Sequence, residues 1–158
     1  MKKHLKKIIV FGMIILVAII LIASTFTVVG AGNTGVVVTL GAVSDKVLSE
    51  GLHVRIPFVQ QIVQINNRTQ KIETDGAASS KDLQVITYLV AVNYRVDNSS
   101  SASLFKNIGN NYESVIITPA IQESIKAVTA QYTAEELITR RQEVSTQIKD
   151  TLSEKIGE

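Results

Sequence analysis

A long apolar run lies close to the start of the chain. From Ile8 onward nearly every residue is apolar or glycine, and no charged residue occurs through Val29. The 22 residues from Ile8 to Val29 would form a helix of about 33 Å, close to the roughly 30 Å hydrocarbon core of a bilayer. The pattern predicts that residues 1–29 are a basic flank and a transmembrane anchor, with Ile8, Leu16 and Val29 among the anchoring residues.

Beyond residue 30 the apolar positions form shorter runs that are typical of strands. The clearest is Val85–Val96, where alternation predicts one face on a core and one face toward water. Gly35–Leu40 is rich in β-branched residues and predicts a second strand. The polar stretch Gly41–Gly51 predicts a turn and loop, and Asp75–Ser80 predicts a turn built on Gly76. Further elements are predicted as a linker at Val28–Asn33, a strand at Leu52–Ile56 and one or two strands within Val59–Ile72.

Helical spacing replaces this pattern after Asp97. A short helix is predicted within Ser99–Ile108 and a longer one at Tyr112–Ala130. Pro119 is predicted to kink the longer helix or to mark its true start, because proline lacks a backbone donor. The apolar residues of this helix fall on one stripe, and they are Ile117, Ile121, Ile125 and Val128.

The last predicted helix begins at Thr133. Thr133 and Glu136 have the spacing of a capping box, in which each side chain accepts a hydrogen bond from the other residue's backbone N–H. The helix is predicted to continue to the end of the chain, because apolar residues recur at steps of four. Strands followed by helices predict an α+β fold with a mostly antiparallel sheet first. The recurring apolar residues are Val144, Ile148, Leu152 and Ile156.

The distribution of lysines predicts the orientation of the anchor. Four lysines precede the apolar run, and the next basic residue is Lys46. The positive-inside rule then places the N-terminus in the cytoplasm and residues 30–158 outside it, at a bacterial cell membrane or an organellar equivalent. A cleaved signal peptide is the alternative, but its apolar region usually covers about 7–15 residues, which is shorter than this run. We therefore expect a retained, single-pass signal-anchor.

Composition excludes several classes of chemistry. The chain has no cysteine, which excludes disulfides, thiolate nucleophiles and cysteine-bound metals. Four of its 16 Lys and Arg lie before the apolar run, so 12 remain against 14 Asp and Glu and the rest of the chain is slightly acidic. An acidic domain argues against a nucleic-acid partner, which requires a basic surface.

Candidate catalytic groups are few. His4 lies in the basic flank, and His53 lies in a predicted strand and is interpreted as structural. The chain has no GxSxG elbow, phosphate-binding glycine loop or dinucleotide-binding motif. Glu135, Glu136 and Glu143 are interpreted as charges that favour a helix N-terminus and a solvated face, rather than as a metal site. We expect no enzymatic activity, no cofactor and no metal.

Six short strings lie in order along residues 28–158: Gly35–Gly41, Glu50–Phe58, Arg68–Gln70, Lys81–Asp82 with Tyr94–Val96, Pro119–Ile121, and Thr133–Arg141. Together they resemble the SPFH (band 7) superfamily, and the prohibitins within it. The resemblance implies an SPFH domain at residues 30–158, behind the predicted anchor. The chain departs from the family pattern at its end, where the last strand and the long coiled-coil helix of the family are missing.

The resemblance implies a membrane scaffold without catalytic activity. Members of the family assemble side by side on a membrane into large rings or cages, organise the surrounding lipids and proteins, and often associate with membrane-bound AAA proteases. The implied partners are membrane lipids, further copies of this chain and a membrane AAA protease. We expect the charged residues Arg140, Arg141 and Glu143 to form the assembly surface. The alternative interpretation is an anchored extracytoplasmic binding module that works as a monomer.

Overall fold

The computed structural model describes residues 2–157, with side chains from residue 9 onward. Its antiparallel strands come before most of its helices, which confirms the predicted α+β class. The strands are β1 (Phe26–Val29), β2 (Asn33–Thr39), β3 (Ala42–Leu48), β4 (Gly51–Val54), β5 (Gln60–Asn66), β6 (Gln70–Ser79) and β7 (Val85–Tyr94). The helices are α1 (Lys2–Thr25), α2 (Ser101–Asn107), α3 (Thr118–Thr129), α4 (Ala134–Thr139) and α5 (Arg141–Ile156), with a π-helical turn at Glu113–Ile117 before α3.

The chain folds as two compact units. The first contains the chain up to Arg68 together with residues 95–107, and the second contains residues 69–94 and the chain from Ile108 onward. In the first unit β2 lies between β3 and β5 and is antiparallel to both, while β1 pairs with β4. Side chains of β2, β5 and α2 form the core of this unit, and its fully buried members are Val36, Ile65 and Ala102.

The stretch Gly41–Gly51 contains strand β3 and is not the loop that the sequence predicted. Leu40 and Gly41 alone join β2 to β3, and both have positive φ, at 48° and 86°. Two-residue turns of this kind usually contain Asn-Gly or Asp-Gly, so the Leu-Gly pair gave no recognisable signal. β3 packs two side chains against the core of the first unit, namely Val43 and Val47.

Helix α1 ends at Thr25, earlier than the sequence predicted. Strand β1 follows without an intervening residue, so the predicted linker at Val28–Asn33 begins inside a strand. Val29 is only 1% exposed, and it lies so close to Gly35 that a Cβ there would come within 2.8 Å of its Cγ2 atom. Its β-branched side chain suits a strand, and β1 pairs along its whole length with β4. Val29 therefore belongs to the interior of the first unit, which corrects its assignment to the anchor.

Helix α1 exposes apolar side chains around its circumference. From Ile9 to Ile22 the large apolar side chains are 40–65% exposed, and Leu16 is 58% exposed. Ile8, also predicted to anchor the chain, lies outside the described side chains. Within the portion of the chain whose side chains are described, no helix combines the length and the apolarity needed to cross a membrane.

The second unit is built on the antiparallel hairpin of β6 and β7, with α3 packed against β6. Inward residues of β7 are half-buried and outward residues are exposed, which confirms the predicted alternation. Pro119 lies at the start of α3, directly after the π-helical turn, because proline has no N–H to continue a regular helix before it. The predicted apolar stripe is buried, which confirms its helical spacing, and its members are Ile117, Ile121, Ile125 and Val128.

Strand β6 continues through Gly76, where the sequence predicted a turn. Gly76 lies opposite Tyr88 of β7, and a Cβ on Gly76 would come within 2.6 Å of the Tyr88 hydroxyl. Glycine therefore makes room for the aromatic ring and does not form a turn. The chain turns instead between Ser80 and Gln84, where the Ser80 N–H donates to the Gln84 carbonyl at 2.9 Å.

The helical stretch after Thr133 is broken, whereas the sequence predicted one helix. Helix α4 ends at Thr139, and Arg140 has φ −107° and ψ 26° before α5 begins. These angles lie outside the α-helical region. After the break, Val144 packs in one cluster with Val128 and Tyr132. The direction of α5 is therefore not fixed by the capping box at the start of α4.

Candidate assembly surface

The surface that contains the predicted assembly residues begins at a hydrogen-bonded helix start. Thr133 Oγ1 accepts from the Glu136 N–H at 3.2 Å, and Glu136 Oε2 accepts from the Thr133 N–H at 2.9 Å. These bonds confirm the predicted capping box. Asp82, in the turn between β6 and β7, accepts from the Ala134 N–H at 3.1 Å. Two carboxylates therefore hold the first turn of α4, and one of them ties it to the hairpin.

Arg140 lies at the break and contacts residues of both adjoining helices. Its Nε and Nη2 atoms donate to the two carboxylate oxygens of Glu143 at 2.9 and 2.6 Å, and its Nη1 lies 3.6 Å from a Glu136 oxygen. Its guanidinium carbon lies 5.3 Å from the ring centre of Tyr132, within cation–π range. The Tyr132 hydroxyl donates to Gln147 Oε1 at 2.7 Å. The structure thus brings Arg140 and Glu143 together as partners of each other.

These contacts shift the pKa values of the groups involved. The backbone N–H of Thr133 holds the pKa of the Glu136 carboxyl below its ordinary value, because a hydrogen bond to the charged form favours that form. The hydrogen bond and the charge of Glu143 raise the pKa of Arg140. Desolvation, followed by the Glu143 charge, raises the pKa of Tyr132. At neutral pH the Glu136 carboxylate and the Arg140 guanidinium are therefore charged, and the Tyr132 phenol is neutral.

Arg141 differs from its neighbour Arg140. Its side chain is exposed at the first position of α5, and among the described residues no hydrogen bond or ion pair reaches it. Ile138, on the last turn of α4, is 79% exposed. Ile138 is not among the predicted assembly residues, although its position outside the apolar series of Val144, Ile148, Leu152 and Ile156 could have signalled an exposed apolar residue. Arg141 and Ile138 are the parts of this surface that are open to a partner.

His53 has a structural contact in the first unit. Its Nε2 lies 2.6 Å from the Ser49 carbonyl oxygen, so this nitrogen carries the hydrogen and donates it. The contact agrees with the interpretation of His53 from the sequence, whereas His4 lies outside the described side chains. Across the described residues, no cluster of three or more His, Asp or Glu is arranged to hold a metal ion.

Comparison with known proteins gives consistent matches over most of the chain. A family model described as "SPFH domain / Band 7 family" matches residues 27–158, which include all of the predicted assembly residues. Similar proteins are Prohibitin-1 of Colletotrichum higginsianum, 28% identical over 139 residues, mitochondrial Prohibitin-1 of Arabidopsis thaliana, 33% identical over 116 residues, and Prohibitin-2 of Mus musculus, 32% identical over 133 residues. The matched regions cover 88%, 73% and 84% of this chain but only 50%, 40% and 44% of the relatives. The chain thus spans half the length of these relatives or less.

Proposed function

This chain belongs to the SPFH domain / Band 7 family, and from that premise we propose that it is a membrane-anchored, non-enzymatic scaffold of the prohibitin type. It assembles with further copies of itself on the membrane, into a ring or cage, and organises the lipids and proteins around that assembly. The observation that carries the proposal is the family match over residues 27–158, together with prohibitin relatives about 30% identical.

The apolar surface of α1 supports the anchoring part of the proposal. A helix that is apolar on all sides requires an apolar environment, either a large protein core or a membrane. The uncharged part of α1, from Ile8 to Thr25, would be about 27 Å long, slightly less than the roughly 30 Å hydrocarbon core. Flanking lysines that extend toward the headgroups and local thinning of the bilayer offset such a small mismatch.

Single cysteines test the anchor and its orientation, because the natural chain has none. Ser145 is exposed on α5, so Ser145→Cys should react with an impermeant thiol reagent added to intact cells. Lys3→Cys should react only after the membrane is permeabilised. The reverse labelling pattern would refute the proposed orientation. Recovery of the protein in the soluble fraction after carbonate washing would refute the anchor.

The exposure of Arg141 supports the choice of an assembly contact. Reversing its charge leaves the internal pairs of Arg140 intact and changes only what a neighbouring copy would meet. A loss of about 1.4 kcal/mol at each contact weakens that contact about tenfold, and a closed ring has this contact at every joint. Arg141→Glu should therefore keep its membrane anchoring and folded core but lose its high-mass species on native gels of the full-length protein.

Lys149→Glu is the matched control, because Lys149 is also an exposed cation of α5. This variant should assemble like the wild type. Normal assembly of Arg141→Glu would remove Arg141 from the interface. A full-length wild type that is monomeric at every detergent concentration would favour the anchored, monomeric binding module instead.

A membrane-bound AAA protease is the protein partner that family membership supports. Crosslinking in the intact membrane, followed by extraction, should recover such a protease with the high-mass species of the wild type. The Arg141→Glu variant should recover less of it, because fewer assembled copies are present. Equal recovery of the protease from the wild type and from Arg141→Glu would show that it binds single copies of this chain rather than the assembly.

A further inference from the structure

A groove of about 560 Å³ lies in the first unit where α1 ends. Three segments of the chain line it: the last turn of α1, the turn between β2 and β3, and the stretch from Arg55 to Gln61. Its lining includes the cation Arg55, the apolar residues Leu40 and Phe58, and Gln60.

Arg55 is the cation of this groove, and its hydrogen-bonding capacity is only partly used. One of its terminal nitrogens donates to the Gln60 carbonyl at 3.3 Å. Its Nε is buried and has no hydrogen-bond partner, and no carboxylate forms an ion pair with Arg55 in the described part of the chain. Buried donors in proteins are nearly always bonded. Arg55 thus brings a guanidinium charge without an ion-pair partner to the wall of an open groove, and this arrangement points to an anionic ligand.

Two exposed apolar residues flank Arg55 on the same groove. Leu40 is 79% exposed and Phe58 is 88% exposed, and both have positive φ, at 48° and 64°. Bulky residues rarely adopt this conformation, and such outliers cluster at functional sites. The turn that carries Phe58 is ordered, because the Gln60 N–H donates to the Ile56 carbonyl and the Ile56 N–H donates to Gln60 Oε1, both at 2.9 Å. The fold thus holds Phe58 away from any core.

A backbone bond fixes Arg55 at the end of α1. Its N–H donates to the carbonyl of Thr25, the last residue of the helix, at 2.8 Å. Ile22 is the last large apolar residue exposed on the helix, and Thr25 lies about 4.5 Å farther along the axis. The headgroup layer on each side of a bilayer is about 5–7 Å thick. With α1 in a membrane, Arg55 therefore lies at the depth of the lipid phosphates.

We propose that this groove binds the phosphate of an anionic phospholipid from the bilayer that holds α1. The Arg55 guanidinium donates to the phosphate oxygens, a geometry for which arginine is well suited. Leu40 and Phe58 insert beside the acyl chains of the same leaflet. The inference rests on the proposed anchoring, and it adds a lipid-binding site to the proposed scaffold.

The test uses the full-length protein reconstituted in vesicles of equimolar phosphatidylcholine and phosphatidylglycerol. Native mass spectrometry after gentle extraction counts the phosphatidylglycerol molecules retained per chain. Arg55→Gln should lower this retention about tenfold, the usual size of a lost hydrogen bond to a charged group, while Arg55→Lys should keep part of it. Arg95→Gln is the control, because it removes one positive charge from an exposed position of the same unit.

The possible outcomes distinguish a lipid phosphate from free phosphate. They also distinguish a failure of the proposed lipid site from a failure of the proposed anchoring. Inorganic phosphate added to the wild type should not displace the lipid, and complete displacement would show that the groove takes free phosphate instead. Equal retention of phosphatidylglycerol by Arg55→Gln and Arg95→Gln would show that Arg55 has only a structural role at the end of α1. This result would overturn the proposal. If Arg55→Gln fails to fold, Phe58→Ser replaces it, because an exposed residue can change without loss of the core. Release of the wild type from vesicles by carbonate would instead refute the anchoring itself.

Discussion

Helices α1 and α3 both contain large apolar side chains, but they place them in opposite surroundings. In α3 the residues Ile121 and Ile125 are 0% and 1% exposed, whereas in α1 the residues Ile14 and Leu16 are 60% and 58% exposed. The difference follows from the arrangement of the apolar residues as well as from their number, because α3 keeps them on one stripe and α1 has them on all sides. An apolar stripe next to polar residues can be covered by one sheet, while a surface that is apolar on all sides cannot.

Helix α4 differs from both α1 and α3, and none of its residues is fully buried. Its start is held by the capping box and by Asp82, and its partly buried Leu137 packs against the cluster of Val128, Tyr132 and Val144. The three helices thus differ in their main contacts: α3 depends on the protein core, α4 depends mostly on hydrogen bonds at its start, and α1, in the proposed anchoring, depends on the membrane. Each dependence predicts a different response to substitution.

The largest effect is expected when a carboxylate replaces a large apolar residue in the middle of α3 or of α1. The two substitutions should have different consequences, because the two helices have different surroundings. Ile121→Asp buries an unpaired charge, which costs several kcal/mol, and small domains have only about 5–15 kcal/mol of stability. The second unit should become sensitive to protease. Leu16→Asp should leave protease resistance unchanged but make the protein extractable by carbonate, because a charge at the centre of a membrane helix costs about 2.5–3.5 kcal/mol.

The two variants also test whether α1 and α3 have different surroundings. If Leu16→Asp lowers protease resistance as much as Ile121→Asp does, then α1 packs against protein and the contrast between the helices is wrong. Ile14→Ala is a mild control, since it shortens an exposed side chain without adding charge.

A smaller effect is expected in the sheet on which α3 packs. Val92 of β7 is half-buried on the inner face, while Leu89 is 76% exposed on the outer face. Val92→Asp should lower the free energy of unfolding by about 2 kcal/mol, and Leu89→Asp should change it by no more than about 0.5 kcal/mol. Chemical denaturation measures both, with Asn93→Asp as a second outer-face control. Equal losses for Val92→Asp and Leu89→Asp would mean that the faces of β7 are misassigned.

Removing the cap of α4 should have an effect near 1 kcal/mol. Thr133→Ala removes the oxygen that accepts the Glu136 N–H, and N-cap losses of this type cost about 0.5–2 kcal/mol. Thermal unfolding should shift down by a few degrees, while Thr133→Ser should behave like the wild type because serine keeps the acceptor. Faster hydrogen exchange at the Glu136 amide would locate the loss at the cap. An unchanged exchange rate there would show that Asp82 and the Glu136 carboxylate hold the start of α4 without the Thr133 hydroxyl.

The smallest expected effect is a loss of stability at acid pH. The pKa of Glu136 is lowered from an ordinary value of 4.5, first by the backbone N–H of Thr133, and the pKa of Asp82 is lowered from 3.8, first by the Ser80 hydroxyl. A carboxyl whose folded pKa is depressed stabilises the folded state above its unfolded pKa, and this contribution is lost as pH falls through the folded pKa. Stability should therefore fall below about pH 4.5 in the wild type and fall less in Glu136→Gln. Identical pH profiles for the two proteins would contradict this assignment.

The parts of the fold that the sequence predicted are those that depend on local spacing. The alternation of Val85–Val96, the stripe around Ile121 and the Thr133–Glu136 box all act within a few residues of the chain. Local spacing also predicted that Pro119 either kinks a helix or marks its start, because the missing donor acts on its own turn, and the structure places it at the start of α3.

The parts that the sequence missed depend on contacts between distant residues. Gly76 resembles a turn residue until Tyr88 is placed opposite it, and Val29 resembles part of an anchor until Gly35 is placed against it. The internal pairing of Arg140 could be predicted in part from its i,i+3 and i,i+4 neighbours. The groove around Arg55 could not, since it joins three segments that no periodicity connects.

The joint between α1 and β1 also has a mechanical consequence. Thr25 ends the helix and Phe26 begins the strand, and the Arg55 N–H fastens the joint through the Thr25 carbonyl at 2.8 Å. A membrane helix tilts to match the thickness of its bilayer. In the proposed anchoring, with no residue between the helix and the strand, such a tilt would act on β1 as a torque and rotate the β1–β4 ribbon with it. A change in bilayer thickness would then reach the first unit as a change of angle, without any ligand or chemical step.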